Sequence, residues 1–187
     1  MSAENFPFGL RPSYHPSGTI RPTAGTIATT YATNIFQFAP VALAADGTLT
    51  AAAAGARAVG SFQGCEFTSV GRRFYLNYWP ENTAATEIVA YFTEDPAIVY
   101  QVQANATLAI TNVGSQLDWT ANGDANGSLG TGLSTVGADV ATITAVGSAG
   151  LRILGLAPYI DNAWGDAFPV IEVQISEHQF VADLVAF

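Results

Sequence analysis

The run Pro40-Val41-Ala42-Leu43-Ala44-Ala45-Asp46-Gly47-Thr48-Leu49-Thr50 decides how this chain is read. An apolar segment enters Asp-Gly and resumes in strand-forming residues. Asp-Gly between such runs marks a hairpin, because both turn positions favour φ > 0. Working outward, residues 59–68, 72–78, 88–93 and 98–104 give further short strands separated by turn residues. In the last of these, Ile98, Tyr100 and Val102 alternate with Val99, Gln101 and Gln103. That period of two belongs to a sheet with one face exposed or joined to a polar neighbour. No apolar stripe of helical period lasts three turns. The fold class is therefore mostly β, a small β-barrel or β-sandwich of short antiparallel strands with an extended N-terminal arm and little helix.

Beyond residue 104 the character changes. Residues 105–150 are rich in Gly, Thr and Ala, with Asn122-Gly123, Asn126-Gly127, Gly130, Gly132 and Gly137 spelling loops and small β elements. Val140 to Val146 restores β-branching. Strands follow at 151–156 and 169–175, and Ser176-Glu177-His178-Gln179 has the spacing of a capping box that would open a short final helix. At the other end, residues 1–30 set Pro7, Pro12, Pro16 and Pro22 among Phe6, Phe8, Leu10 and Tyr14. Proline fixes φ and removes a donor, so this segment is neither helix nor central strand. We read it as an extended arm on a β-rich domain spanning 31–187. Its aromatics find burial either on another subunit or back on the arm's own domain.

Composition narrows function further. The 187 residues are 49% hydrophobic and only 11% charged, all six cations are arginine, and the net charge is −9. Ordinary domains carry roughly a quarter charged residues, so neutral polar side chains must supply most of this surface. An acidic chain gains little from phosphate backbones, which argues against nucleic acid. No apolar run reaches membrane-span length, and the opening Met1-Ser2-Ala3-Glu4 lacks a signal-peptide layout. The expectation is a protein that stays inside a cell or inside something assembled there, without nucleic-acid or membrane partners.

The catalytic inventory is thin. Without lysine there is no Walker A loop, Schiff base or Ser-Lys dyad. His15 and His178 stand at opposite ends of the chain, no Gly-x-Ser-x-Gly elbow occurs, and His-x-x-x-His spacing is absent. Cys65, alone, forms no intrachain bridge and reads as a buried thiol in a strand. Asn122-Gly123-Asp124-Ala125-Asn126-Gly127 approaches a calcium loop, yet Leu133 stands where the bidentate glutamate belongs, so tandem Asn-Gly turns account for it. Glu94 and Asp95 are neighbours that would point apart on a strand. No catalytic residue, cofactor or metal is expected, and the chain reads as no enzyme.

Several segments resemble a family of tailed-bacteriophage head decoration, or cement, proteins. They are Phe8-Gly9-Leu10-Arg11-Pro12, Ala45-Asp46-Gly47-Thr48, Tyr78-Trp79-Pro80, Ile88-Val89-Ala90-Tyr91 with Asp95-Pro96, and Val173 to Gln179. The resemblance implies a small β-rich protein on the exterior of a capsid assembled in the host cytoplasm. It would act as a homotrimer that locks neighbouring major capsid protein subunits together. Phe6, Phe8, Leu10, Arg11, Pro12 and Tyr14 are the candidate inter-subunit contacts, joined by Trp79, Pro80 and Trp164, for which core packing is an equal reading. On this view, removing residues 1–14 leaves a folded protein that no longer holds capsids together. Two alternatives stay open. One is a virion-surface module that binds a glycan or host receptor through exposed aromatics such as Trp119, and the other is a hydrolase with paired acids.

Overall fold

Turn residues and β-branched runs yield twelve strands in a computed structural model that describes residues 4–121, 127–145 and 149–181. In chain order these are β1 (Arg11–Tyr14), β2 (Thr23–Gly25), β3 (Pro40–Leu43), β4 (Leu49–Ala51), β5 (Gly60–Ser69) and β6 (Arg72–Leu76). They continue with β7 (Thr86–Phe92), β8 (Val99–Gln103), β9 (Gln116–Trp119), β10 (Ala138–Thr144), β11 (Leu151–Leu156) and β12 (Val170–Ile175). One 3-10 turn, Ile110–Asn112, is the helical content of the described residues. The mostly antiparallel β reading therefore holds.

The strands form two sheets of interleaved origin. The first has the order β1-β8-β12-β11-β9-β10, and the second β2-β7-β5-β3-β4 with β6 beside β5. The second sheet thus uses only residues 23–92, an insertion between β1 and the rest of the first sheet. A parallel bridge from Ala104 to Ala138 ties the end of β8 to the start of β10, so the first sheet curls back on itself. Its interior holds Leu10, Tyr100, Leu117, Trp119, Ile153, Ile171 and Val173. A separate core under the second sheet holds Ile35, Leu49, Phe62, Phe67, Trp79 and Phe92.

β5 serves three neighbours because it bends. Its start pairs with β3 and its far half with β6, while β7 runs along the other side with a bulge between Phe62 and Gly64. Gly64 sits at φ 143, a conformation the extra bulge residue demands and glycine permits. The Asp46-Gly47 hairpin forms between β3 and β4 as expected. Its loop is longer than a two-residue turn: Leu43 pairs with Leu49, and Asp46 Oδ1 accepts from the Thr48 N–H at 3.0 Å while Gly47 alone takes φ 80. The hydrogen bonds from Thr48 hold the Asp46 carboxyl below its ordinary range.

Of the two readings left open for the arm, the structure takes the one in which it packs back on its own domain, and one expectation requires correction. β1 pairs with β8, β2 pairs with β7, and Leu10 is wholly buried in the first core. Pro12 is tolerated because β1 is an edge strand, where a missing N–H breaks no ladder on the outer side. The correction is that no helix opens at Ser176. Residues 176–181 form bends and turns, with His178 bridged to Ala58 and Gln179 exchanging hydrogen bonds with Leu43 at 2.7 and 3.0 Å. Those tertiary bonds capture the groups a capping box would have used. The stretch 105–150 contains β9 and β10 within its loops, and the calcium-like residues Asn122 to Asn126 lie outside the described residues.

Candidate functional sites: a histidine cleft and a projecting hairpin

Both histidines converge on one corner. β7 ends at Phe92, and the following Glu94-Asp95-Pro96 turn meets the segment after β1 and the segment after β12. Together they line an open cleft of about 640 Å³, whose walls include His15, Ser17, Arg21, Glu94, Asp95 and Phe180. His15 Nε2 lies 3.2 Å from Asp95 Oδ2, and its Nδ1 lies 2.6 Å from Ser17 Oγ. The Ser17 N–H also donates to Nδ1 at 3.0 Å, which places the ring proton on Nε2, facing Asp95. The other Asp95 oxygen accepts from the Ala97 N–H at 2.8 Å, and Glu94 Oε1 accepts from Thr23 Oγ1 at 2.7 Å. Glu94 and Asp95 do not point apart on a strand, because the strand has ended before them.

His178 is not a surface residue but a buried one, 1% exposed, at the seam between the sheets. Its Nδ1 accepts the Phe180 N–H at 3.1 Å, and its Nε2 makes no hydrogen bond. Burial depresses its pKa below the ordinary 6.5; the carbonyls of Val59 and Glu94 and the carboxylates of Asp95 and Glu94 offset part of that. The folded state therefore resists protonation more than the unfolded chain does, and stability is lost as the pH falls below 6.5 through the depressed value. The melting temperature is expected to hold above that pH and to drop below it. His178→Gln is expected to flatten the drop, as followed by circular dichroism.

A second feature is the β5–β6 hairpin. Ser69 pairs with Arg72, leaving Val70 and Gly71 as a two-residue turn with φ 48 and 70. Positive φ at both positions matches the twist of a hairpin, but at Val70 it crowds a β-branched side chain. Val70 is 97% exposed, so the β5–β6 ladder alone holds that strain and no packing of the side chain offsets it. Tyr75 is also open to solvent, and Phe74 is partly so while it stacks on Phe67 at 5.5 Å. On the same sheet face as Tyr75, Arg73 stands between Glu66 at 3.2 Å and Glu87 at 3.4 Å, and the Tyr91 hydroxyl donates to Glu66 at 2.7 Å. Tyr91 first, then Arg73, hold the Glu66 carboxyl below its usual range.

No family model, curated protein or solved structure matches this chain.

The contact residues expected from sequence are scattered by the fold. Phe6 and Tyr14 remain exposed on the arm. Phe8, Arg11, Pro12, Pro80 and Trp164 are half-buried. Arg11 is occupied within the chain: it lies over the Phe8 ring, donates to Gln101 Oε1 at 2.7 Å, and reaches the Tyr159 hydroxyl. Gln101 and Gln103, the polar positions of β8, are thus covered by the arm, which also bonds Gln103 through the Phe6 N–H at 2.8 Å. Leu10 and Trp79 are fully buried and cannot meet another subunit while the fold is intact. Trp119 is equally buried, which removes it as a glycan-stacking residue. Cys65 packs in the second core, where burial pushes its thiol up to about 12 and leaves it protonated. Sequence reading put a turn between residues 68 and 72 but did not single out its tip, Val70-Gly71, as a contact.

Proposed function

We propose that the protein is a virion structural protein that docks on the outer surface of a phage capsid and cements adjacent major capsid protein subunits, with copies of itself, as a homotrimer, completing the lattice. The observation that carries this reading is Val70, a strained β-branched side chain held almost wholly in solvent at the tip of a hairpin. A strained, apolar side chain with no packing partner in its own chain points to a contact made elsewhere. Tyr75 and Arg72 beside it belong to the residue types enriched where partners bind tightly. The charge-poor composition and the segments that resemble cement proteins support the same reading. Such a protein, binding only the expanded shell, stabilises it by mass action.

Two substitutions separate docking from folding. Val70→Asn relieves the turn and is expected to raise the melting temperature by a few degrees, worth about 1 kcal/mol. Combined with Tyr75→Ser, it is expected to weaken co-sedimentation with expanded heads lacking the protein about 30-fold, the scale of one lost hot-spot residue. Heads would then release their DNA on heating as undecorated heads do. Equal binding by the double variant, or no binding by the unaltered protein, would refute the reading.

A further inference from the structure

The cleft at the Glu94-Asp95 turn holds a relay that capsid docking does not require. Its parts are Ser17 Oγ, 2.6 Å from His15 Nδ1, and Asp95 Oδ2, 3.2 Å from His15 Nε2. A nucleophile, a base within hydrogen-bond reach, and a third group that orients the base constitute the working arrangement of serine hydrolases. Each orientation is fixed by a further bond. The Ser17 N–H at Nδ1 keeps that nitrogen an acceptor, and its single lone pair is shared between that N–H and the Ser17 Oγ–H, so the N–H bond yields as the proton crosses from Oγ. The Ala97 N–H holds the Asp95 carboxylate in place. Ser17 is exposed at the mouth of the cleft, and the His15–Gly18 turn, closed by Gly18 N–H to His15 O at 2.8 Å, presents it without a strand-to-helix elbow. The missing Gly-x-Ser-x-Gly motif therefore does not rule the chemistry out; this turn achieves the exposure another way.

We propose that this cleft catalyses acyl transfer from small carboxylic esters, through an acyl intermediate on Ser17. As Oγ attacks the ester carbonyl carbon, its proton passes to His15 Nδ1 and the carbonyl electron pair moves onto oxygen. Asp95 holds the resulting imidazolium through the Nε2–H, and Arg21, the cation lining the cleft, offsets the charge on the oxyanion. Collapse breaks the ester C–O bond, and the departing alkoxide takes the Nδ1 proton and leaves as the alcohol. Water repeats the sequence: its proton goes to Nδ1, its oxygen bonds the acyl carbon, and Ser17 Oγ leaves with that proton. The sum is ester plus water giving acid plus alcohol. His15 and Ser17 touch the reacting atoms; Asp95 is a positioning residue.

The probe is p-nitrophenyl acetate, given to the full chain. A burst of nitrophenol is expected, with one acetyl group located on Ser17 by peptide mass spectrometry. Ser17→Ala is expected to remove that adduct. His15→Gln and Asp95→Asn are expected to slow its formation about 100-fold, the scale of general-base assistance. Asparagine keeps the acceptor for the Ala97 N–H, so the melting temperature of Asp95→Asn is expected to match the parent, and a slower acylation then reports on His15 orientation rather than folding. No acetyl group on Ser17, or acetylation at the parent rate in Asp95→Asn, would overturn the proposal. Either result leaves the capsid reading untouched, because Val70 and Tyr75 lie on a different element.

Discussion

Replacing Gly9 by alanine is expected to destabilise the protein by roughly 3 kcal/mol, lowering the melting temperature by about 10 °C. Gly9 holds φ 79, and an added Cβ would stand 2.3 Å from the Phe38 carbonyl oxygen. That oxygen cannot retreat cheaply, because it accepts the Leu10 N–H at 2.7 Å, and Phe38 itself holds φ 68. Two strained residues thus meet back to back where the arm enters the first core. Thermal melting monitored by near-ultraviolet circular dichroism reads the effect. A variant as stable as the parent would show that the Gly9–Phe38 contact yields without cost.

Removing residues 1–14 is expected to be more damaging still. The deletion takes away β1, exposes the edge of β8, and empties the site of Leu10, whose loss alone is worth about 2–5 kcal/mol in a packed core. It also strips Arg11 from Gln101 and leaves Ser61 Oγ without the Leu10 carbonyl it reaches at 2.6 Å. Polar groups buried and then unpaired are costly on their own. The truncated chain is expected to lose its cooperative melting transition and to be cut rapidly by protease. This reverses the expectation drawn from sequence, in which the arm was dispensable for folding. A truncated protein that still melts cooperatively near the parent temperature would restore that expectation.

Much of the architecture was readable because it is local. Asp46-Gly47, the β-branched runs and the alternation in β8 are properties of neighbouring residues, and each strand they mark is present, with the limits of β11 at Leu151 and Leu156 as expected. β9 escaped because Gln116-Leu117-Asp118-Trp119 is too short and too mixed to show a period. β1 and β2 escaped for another reason: proline excludes helix and central strand but leaves edge strands open, and both turn out to be edge strands that no local pattern marks. The cleft was illegible on principle. His15 and Asp95 are 80 positions apart in sequence, and nothing near either residue announces the other. Trp79 and Trp164 illustrate the same limit, since a tryptophan in a turn-rich segment looks alike in a core and at an interface, and only the fold puts the first wholly inside and the second half inside.

The interleaving of the two sheets also constrains the order of synthesis. Once the ribosome has released residue 92, every strand of the second sheet exists and its core can close. β1 emerges earliest of all, yet its partner β8 begins at Val99, and β8 is flanked on its other side by β12, which ends at Ile175. Residues 11–14 must therefore wait, unpaired, at least until β8 has emerged, and the first sheet closes only once β12 has followed. Long-range pairing of this kind is slow, on the order of milliseconds to seconds. Through that interval the early-folding insert keeps the two distant pieces of the late sheet tethered at its own two ends, so that the arm meets β8 beside it instead of another chain's open edge.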